Sequence, residues 1–386
     1  MDPRDHLQTN LVAGALTSTH LTIRTLMPLL LAVLGTTYGF AEGRLGEFGA
    51  AYSAGATLAA MTSPLWMGGM RMRGPALILL AAGLAAVSAM LIVRGFVPLM
   101  LSFALAGFGH GGVFALMIAL LSRTDDPNRS FGWQWCLGSL PGILLVYLAP
   151  ALSSPANALW FTVALVLGCN ALLSVPALCL PERLAALPIT TNRTAQPPPV
   201  RHRWPLALGL FAIFATYAGI TGAWSFLGRI ALGEGLDAGF SGIVLAFATA
   251  ASGAVSLLAG EIGDRGARPM PMLIAALGIV ATMLMTALWS GRLGYAVSVI
   301  GATALAGWLL PFVIGIVPRI DPGGRTAGLP AAALGVGAAA GPAIAGHVYQ
   351  AAGVVTMMIT AAVVIVAGLT AYVGVHHRAF RSRAIR

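Results

Sequence analysis

The chain has 386 residues, 58% of them hydrophobic and 9% charged, with a mean hydropathy of +0.86 and a formal net charge of +10. Soluble proteins carry about 25% charged residues, so there is too little polar material here to coat a water-soluble globule, and composition overrides the two or three soluble domains that length alone suggests. The positive charge does not point to nucleic acid, because all 22 Lys-or-Arg positions are arginines and their placement follows the apolar blocks.

In chain order, twelve apolar blocks predict membrane-spanning helices near 11–35, 49–68, 75–93, 97–121, 131–151, 157–180, 204–228, 240–260, 269–289, 293–317, 327–350 and 353–375. A helix needs roughly 20 mostly apolar residues to cross the hydrocarbon layer. The blocks are rich in Ala, Leu, Val and Gly and do not alternate in hydropathy, which argues against a β-barrel. The fold class expected is an all-α membrane protein. With the N-terminus inside, seventeen arginines fall in inner breaks and tails, against Arg44, Arg94, Arg229 and Arg292 in the outer breaks. This positive-inside bias places both termini in the cytoplasm. Cys136, Cys169 and Cys179 lie within spans, so no disulfide framework is indicated. No cleavable signal peptide is visible, and the first helix is taken as its own insertion signal.

The chain repeats itself at about half its length. Gly49 falls on Gly242 and Pro75 near Pro269, opening the second and third helices of each half. Asp126-Pro127-Asn128-Arg129 resembles the run from Asp321 to Arg325, each joining a fourth helix to a fifth. Residues 1–180 and 204–386 are therefore read as two six-helix bundles. The stretch 181–203, with Pro197-Pro198-Pro199 and four arginines, is read as a cytoplasmic linker.

Ionisable residues inside a span are functional hypotheses by default. All twelve acids can be placed in loops or at helix ends. The first helix breaks the apolar pattern with Thr17-Ser18-Thr19-His20-Leu21-Thr22-Ile23-Arg24-Thr25. One reading leaves this stretch in the cytoplasm and starts the span at Leu26. Against it, Leu26–Gly35 is too short to cross, and the repeat lays residues 11–35 over the apolar seventh helix. As a span, it sets Thr17, His20 and Arg24 on one face at i, i+3 and i+7. A central arginine costs about 2.5–3.5 kcal/mol on insertion scales. With no buried acid as partner, the expected partner is the substrate. A planar guanidinium fork suits carboxylate or phosphate, so the substrate class inferred is a small organic anion, a carboxylate in first place.

The repeat sets Arg24 opposite Tyr217, with Thr216, Thr221, Trp224 and Ser225 on the same seventh helix. Aromatic rings beside a guanidinium suit a substrate with an apolar body, although buried Tyr and Trp also serve as packing. His110, within Gly107-Phe108-Gly109-His110-Gly111-Gly112 of the fourth helix, is a candidate for substrate binding or proton relay; a structural histidine is the alternative. Gln134 and Asn170 are candidates as polar residues within spans. Trp133 and Trp135 read as interfacial-belt residues, and His347 lies near the outer end of the eleventh helix.

Gly260-Glu261-Ile262-Gly263-Asp264-Arg265-Gly266-Ala267-Arg268 resembles the loop motif of the major facilitator superfamily, Gly-x-Leu-Ala-Asp-Arg-x-Gly-Arg, at the junction of the eighth and ninth helices. The resemblance implies two pseudo-symmetric six-helix bundles around a central cavity and transport by alternating access. It also implies that Asp264 caps a neighbouring helix while Arg265 and Arg268 bridge the halves at the cytoplasmic gate. The equivalent stretch in the first half keeps Arg71, Arg73 and Gly74 but lacks the acid. Gly328, Gly337, Gly341-Pro342 and Ala345-Gly346 are similar to the glycine-proline motif of family antiporters, but on the eleventh helix rather than the fifth; small residues also favour close helix packing.

The function expected is secondary active transport of a small organic anion about a site formed by helices 1, 4 and 7. Two cations one turn apart repel, so an anion on Arg24 would permit protonation of His20, a rationale for anion–proton symport. Proton-coupled efflux of lipophilic compounds, through His110 or His20, is the rival. A non-transporting sensor of the same fold is the rival of another class. No metal-ligand cluster, nucleophile–base pair or phosphate loop argues for an enzyme, and no metal or cofactor is expected. The partners expected are a small-molecule substrate, the lipid bilayer and protons, with no nucleic acid and a monomeric state. The arginine-only basic usage suggests a GC-rich bacterial genome, hence the bacterial inner membrane.

Overall fold

The computed structural model describes residues 3–66, 72–121, 127–182, 203–262, 269–320 and 329–380. The first half comprises α1 (Pro3–Tyr38), α2 (Glu42–Trp66), α3 (Arg73–Ala89), α4 (Phe96–Leu121), α5 (Pro127–Leu152) and α6 (Ala158–Ser174), the last running on into a 3-10 segment, Val175–Cys179. The second comprises α7 (Arg203–Gly233), α8 (Ala238–Ile262), α9 (Pro269–Leu288), α10 (Arg292–Ile314), a short α11 (Ile316–Ile320) and α12 (Leu329–Phe380). The tenth expected span thus ends early, at a turn on Gly315 after Pro311, whose ring removes a backbone donor.

α12 is two helices. Gly353, with φ 79° and ψ 176°, interrupts it and separates a first limb, 329–352, from a second, 354–380. Only glycine adopts that conformation without strain. The expected break between the eleventh and twelfth spans is therefore a single residue. Among the described residues, eight helices are long and apolar enough to cross a membrane, the fused Leu329–His376 counting once. α3 and Met272–Thr286 are shorter apolar helices, and α2 falls short because small and polar residues dilute it. Among the described residues, each of the twelve expected blocks contains a helix.

The polar stretch of the first helix is explained by its surroundings. From Ala13 to Gly35, α1 is enclosed on nearly all sides, packed against α2, α4, α5, α6 and α7. A helix buried all round faces protein rather than lipid, so Thr17, Ser18, Thr19, His20, Thr22 and Thr25 are all buried within a continuous helix. α7 is enclosed in the same way from Ala212 to Ile230, apart from partly exposed Phe214, Ile220, Trp224 and Arg229. The two cross at Pro28 and Gly228, where a Cβ on Gly228 would lie 2.4 Å from the Pro28 carbonyl oxygen. The peripheral helices do the reverse: Ile78, Leu172 and Leu288 are 71%, 75% and 71% exposed, a surface suited to acyl chains and not to water.

Candidate substrate site

The site grows from the inner face of α1. Ser18 and Thr19 return their hydroxyls to their own helix, on Gly14 O at 2.8 Å and Leu16 O at 2.7 Å, which makes them tolerable in a buried helix. The other polar groups reach neighbouring helices. Gln134 of α5 donates to Thr17 Oγ1 at 2.7 Å, and Asn170 of α6 donates to the Thr19 carbonyl at 3.2 Å. Gln134 and Asn170 therefore brace α1 against its own half.

His20 packs against two aromatic rings. Its ring stacks on Tyr52 of α2, at 5.5 Å between centroids and 14° between planes, and on Phe114 of α4, at 5.3 Å and 20°. Tyr52 Oη lies 3.0 Å from His20 Nδ1 and donates to the His20 carbonyl at 3.1 Å.

Arg24, one turn further along α1, reaches the other half. Its Nη2 donates to Tyr217 Oη of α7, and its guanidinium carbon sits 5.2 Å from the centroid of the same ring. Trp224 Nε1 donates to the Arg24 carbonyl at 3.2 Å. Among the described residues no carboxylate pairs with Arg24. The guanidinium is thus held at its rim by a neutral phenol and an aromatic face. A guanidinium carries five N–H donors, and those not given to Tyr217 suit a planar anion.

The structure brings Arg24, His20 and Tyr217 together, with Thr17 on the same helix a turn inward. It does not bring the other expected residues to Arg24. Thr221 lies against Gly341 of the first limb of α12, with its hydroxyl on the Tyr217 carbonyl at 2.9 Å. Ser225 repeats the pattern on Thr221 O at 2.8 Å. Thr216 is buried beside Gly368 of the second limb. His110 is fully buried and turned towards α3, where a Cβ on Gly83 would lie 2.6 Å from its Nε2, and neither ring nitrogen has a hydrogen-bond partner. The gating residues Asp264, Arg265 and Arg268 lie outside the described residues. Trp133 and Trp135 are about half exposed, and Trp135 sets an edge against Phe114 at 5.9 Å. No group of three potential metal ligands occurs among the described residues.

Two features have no clear mark in the sequence. Tyr52 and Phe114 complete the His20 site from other helices; the only hint is that Tyr52 is the one large polar residue in the small-residue run 49–57. The second is a closure at the end opposite the arginine-rich breaks. Glu42, opening α2, pairs with Arg229 near the end of α7, which also donates Nε to Glu42 Oε1 at 3.1 Å and Oε2 at 3.2 Å. The Gly43 amide donates to Gln350 Oε1 at 3.0 Å, and His347 Nε2 lies 3.2 Å from Glu47 Oε1. His347 therefore belongs to this closure. Among the described residues, the ion pairs that join the halves both lie at this outer end.

This arrangement, with α1 and α7 enclosed among helices of which eight are long and apolar enough to cross a membrane, is the major facilitator fold, and the chain is a multi-pass membrane protein. It is 29% identical over 279 residues to human monocarboxylate transporter 11, covering 64% of this chain and 56% of that protein, so it spans little more than half of that relative's length. In structure it is similar to the human organic anion transporter MFSD10 (TETRAN), with a TM-score of 0.69 at 18% identity over 96% of this chain and 100% of that one. It is similar, too, to a bacterial homologue of the human lysosomal transporter Spinster, solved inward-facing and unoccupied, with a TM-score of 0.70 at 14% identity over 97% of each chain. At such identities the structural likeness speaks for the fold alone. No family model matches the chain.

Proposed function

We propose that this protein is a secondary active transporter that moves a small organic anion, a carboxylate in first place, across the bacterial inner membrane by alternating access, with protons as the coupling ion. The observation that carries the reading is Arg24: a guanidinium at mid-span with no carboxylate partner among the described residues, held by an aromatic phenol of the other half. A cation costly to insert and left without an acid is explained by a ligand that supplies the negative charge. Because Arg24 belongs to one half and Tyr217 and Trp224 to the other, an anion bound there would bear on both halves and on the rocking between them. The name of the sequence relative, a monocarboxylate transporter, lends support to the substrate class. His20, one turn from Arg24, is the group that would take up a proton once an anion offsets the guanidinium. Asp264, Arg265 and Arg268 would close the cytoplasmic end, and the working unit is a monomer.

Thermal-shift screening of purified protein against a panel of organic acids, followed by counterflow in proteoliposomes, tests the proposal. A carboxylate that stabilises the wild type, exchanges across the liposome and does neither with Arg24→Ala supports it. Equal responses from Arg24→Ala remove Arg24 from the site. Resistance to lipophilic compounds without organic-acid exchange replaces the reading with efflux, and binding without net transport replaces it with a sensor.

A further inference from the structure

We infer that Tyr52 is a positioning residue for the coupling proton: it holds His20 in the Nδ1–H tautomer, so that Nε2 is the nitrogen that gains and loses the proton moved with the anion. The inference rests on the symport reading above.

The argument starts from hydrogen-bond capacity. Tyr52 Oη is 3.1 Å from the His20 carbonyl oxygen and 3.0 Å from His20 Nδ1, and a phenol has one hydrogen to give. The carbonyl can only accept. If the phenol donates to it, Nδ1 must carry a hydrogen and donate to Oη, and both contacts are satisfied. The reverse assignment gives the phenol hydrogen to Nδ1 and leaves two oxygen lone pairs facing each other at 3.1 Å. The first arrangement is therefore the stable one, and in neutral imidazole it leaves the free lone pair on Nε2. Protonation adds a hydrogen to that lone pair and breaks no existing bond of the ring, so the ring need not turn.

The surroundings fit a ring that changes charge in place. The Tyr52 and Phe114 rings lie nearly parallel to it, at 14° and 20°, and pack against it. The charged or titratable groups that act on it are Arg24 on its own helix, Tyr52 on α2 and His110 on α4. Gln134 of α5 and Asn170 of α6 are neutral and already engaged with Thr17 and the Thr19 carbonyl. His110 is the contrast: it is equally buried but closed in by α3, with no partner on either nitrogen. Of these two histidines, only His20 has a bonded neighbour that orders its protons.

The test uses the full chain in lipid nanodiscs with ¹⁵N-labelled histidine, and His20→Gln identifies the His20 resonances. The expected wild-type result is a protonated Nδ1 and an unprotonated Nε2 at high pH, with Nε2 alone changing as the pH falls. Tyr52→Phe, which keeps the ring but not the hydroxyl, is expected to lose that preference. It should also lower proton-driven uptake at neutral pH about threefold or more, since one hydrogen bond to the charged ring is gone. A wild-type Nε2–H tautomer, or a Tyr52→Phe spectrum identical to wild type, overturns the role of Tyr52; the wild-type spectrum alone decides this if the variant does not fold. Wild-type uptake indifferent to pH overturns instead the symport reading, and with it the proton role of Nε2.

Discussion

α1 and α7 are equivalent helices of the two halves, both enclosed at the centre of the molecule, and they use that position in opposite ways. Ser18 and Thr19 aside, α1 joins its polar side chains to other helices: Thr17 to α5, His20 to α2, Arg24 to α7. α7 keeps its hydroxyls to itself, with Thr221 and Ser225 bonded to its own carbonyls; at the level of Arg24 it presents Tyr217 and Trp224 to the first half, and Arg229 meets Glu42 further out. The first half supplies the charge; the second supplies aromatic surface and one hydroxyl. The two positions that the sequence repeat pairs carry different chemistry.

If that division holds, the largest effect belongs to the charge. Arg24→Ala is expected to weaken binding of the anion by about a hundredfold or more, the range for deleting one member of a desolvated charged pair. Isothermal calorimetry or thermal shift reads it, and a loss of less than about threefold would mean that the charge is not what α1 contributes. Next is Glu42→Gln, which removes the ionic contact of α7 with the first half at the outer end. Losing a charged hydrogen bond worth about 1.5–3 kcal/mol should raise outward opening about tenfold. The measure is the rate at which a cysteine introduced at Leu31, buried on α1, reacts with a membrane-impermeant maleimide; an unchanged rate would deny the pair a part in closure. Tyr217→Phe sharpens the comparison, because it removes the hydroxyl and leaves the ring under Arg24. The expected cost is a rise in KM of about three- to tenfold with kcat nearly unchanged. Ser225→Ala comes last: its hydroxyl serves only its own helix, so uptake should stay within about twofold of wild type.

Much of the fold is legible in the sequence because hydropathy and arginine placement act over whole helices. The first helix was decipherable despite its polar run because ten apolar residues cannot cross and the repeat supplied the register. The same alignment paired Arg24 with Tyr217. What helical spacing does not reveal is which neighbour a face meets. Thr221 shares a face with Tyr217, yet the first limb of α12 covers it. His110 is a candidate because it is ionisable within a span, but its flanking glycines permit close approach as readily as open space, and α3 closes in on it through Gly83. Tyr52, Phe114 and the pairing of Glu42 with Arg229 depend on contacts between distant segments, for which a single chain read alone carries no periodic signal.

Gly353 leaves no slack between the two limbs of α12. Near its end the first limb carries Gln350, tied to α2 at the outer closure, while the second lies along α7 and leaves Ile359, Val363 and Val366 exposed on the outer surface. A loop would absorb a shift of one limb relative to the other; a single residue transmits it. A change in bilayer thickness that shifted the second limb would therefore be expected to load the outer end of the first.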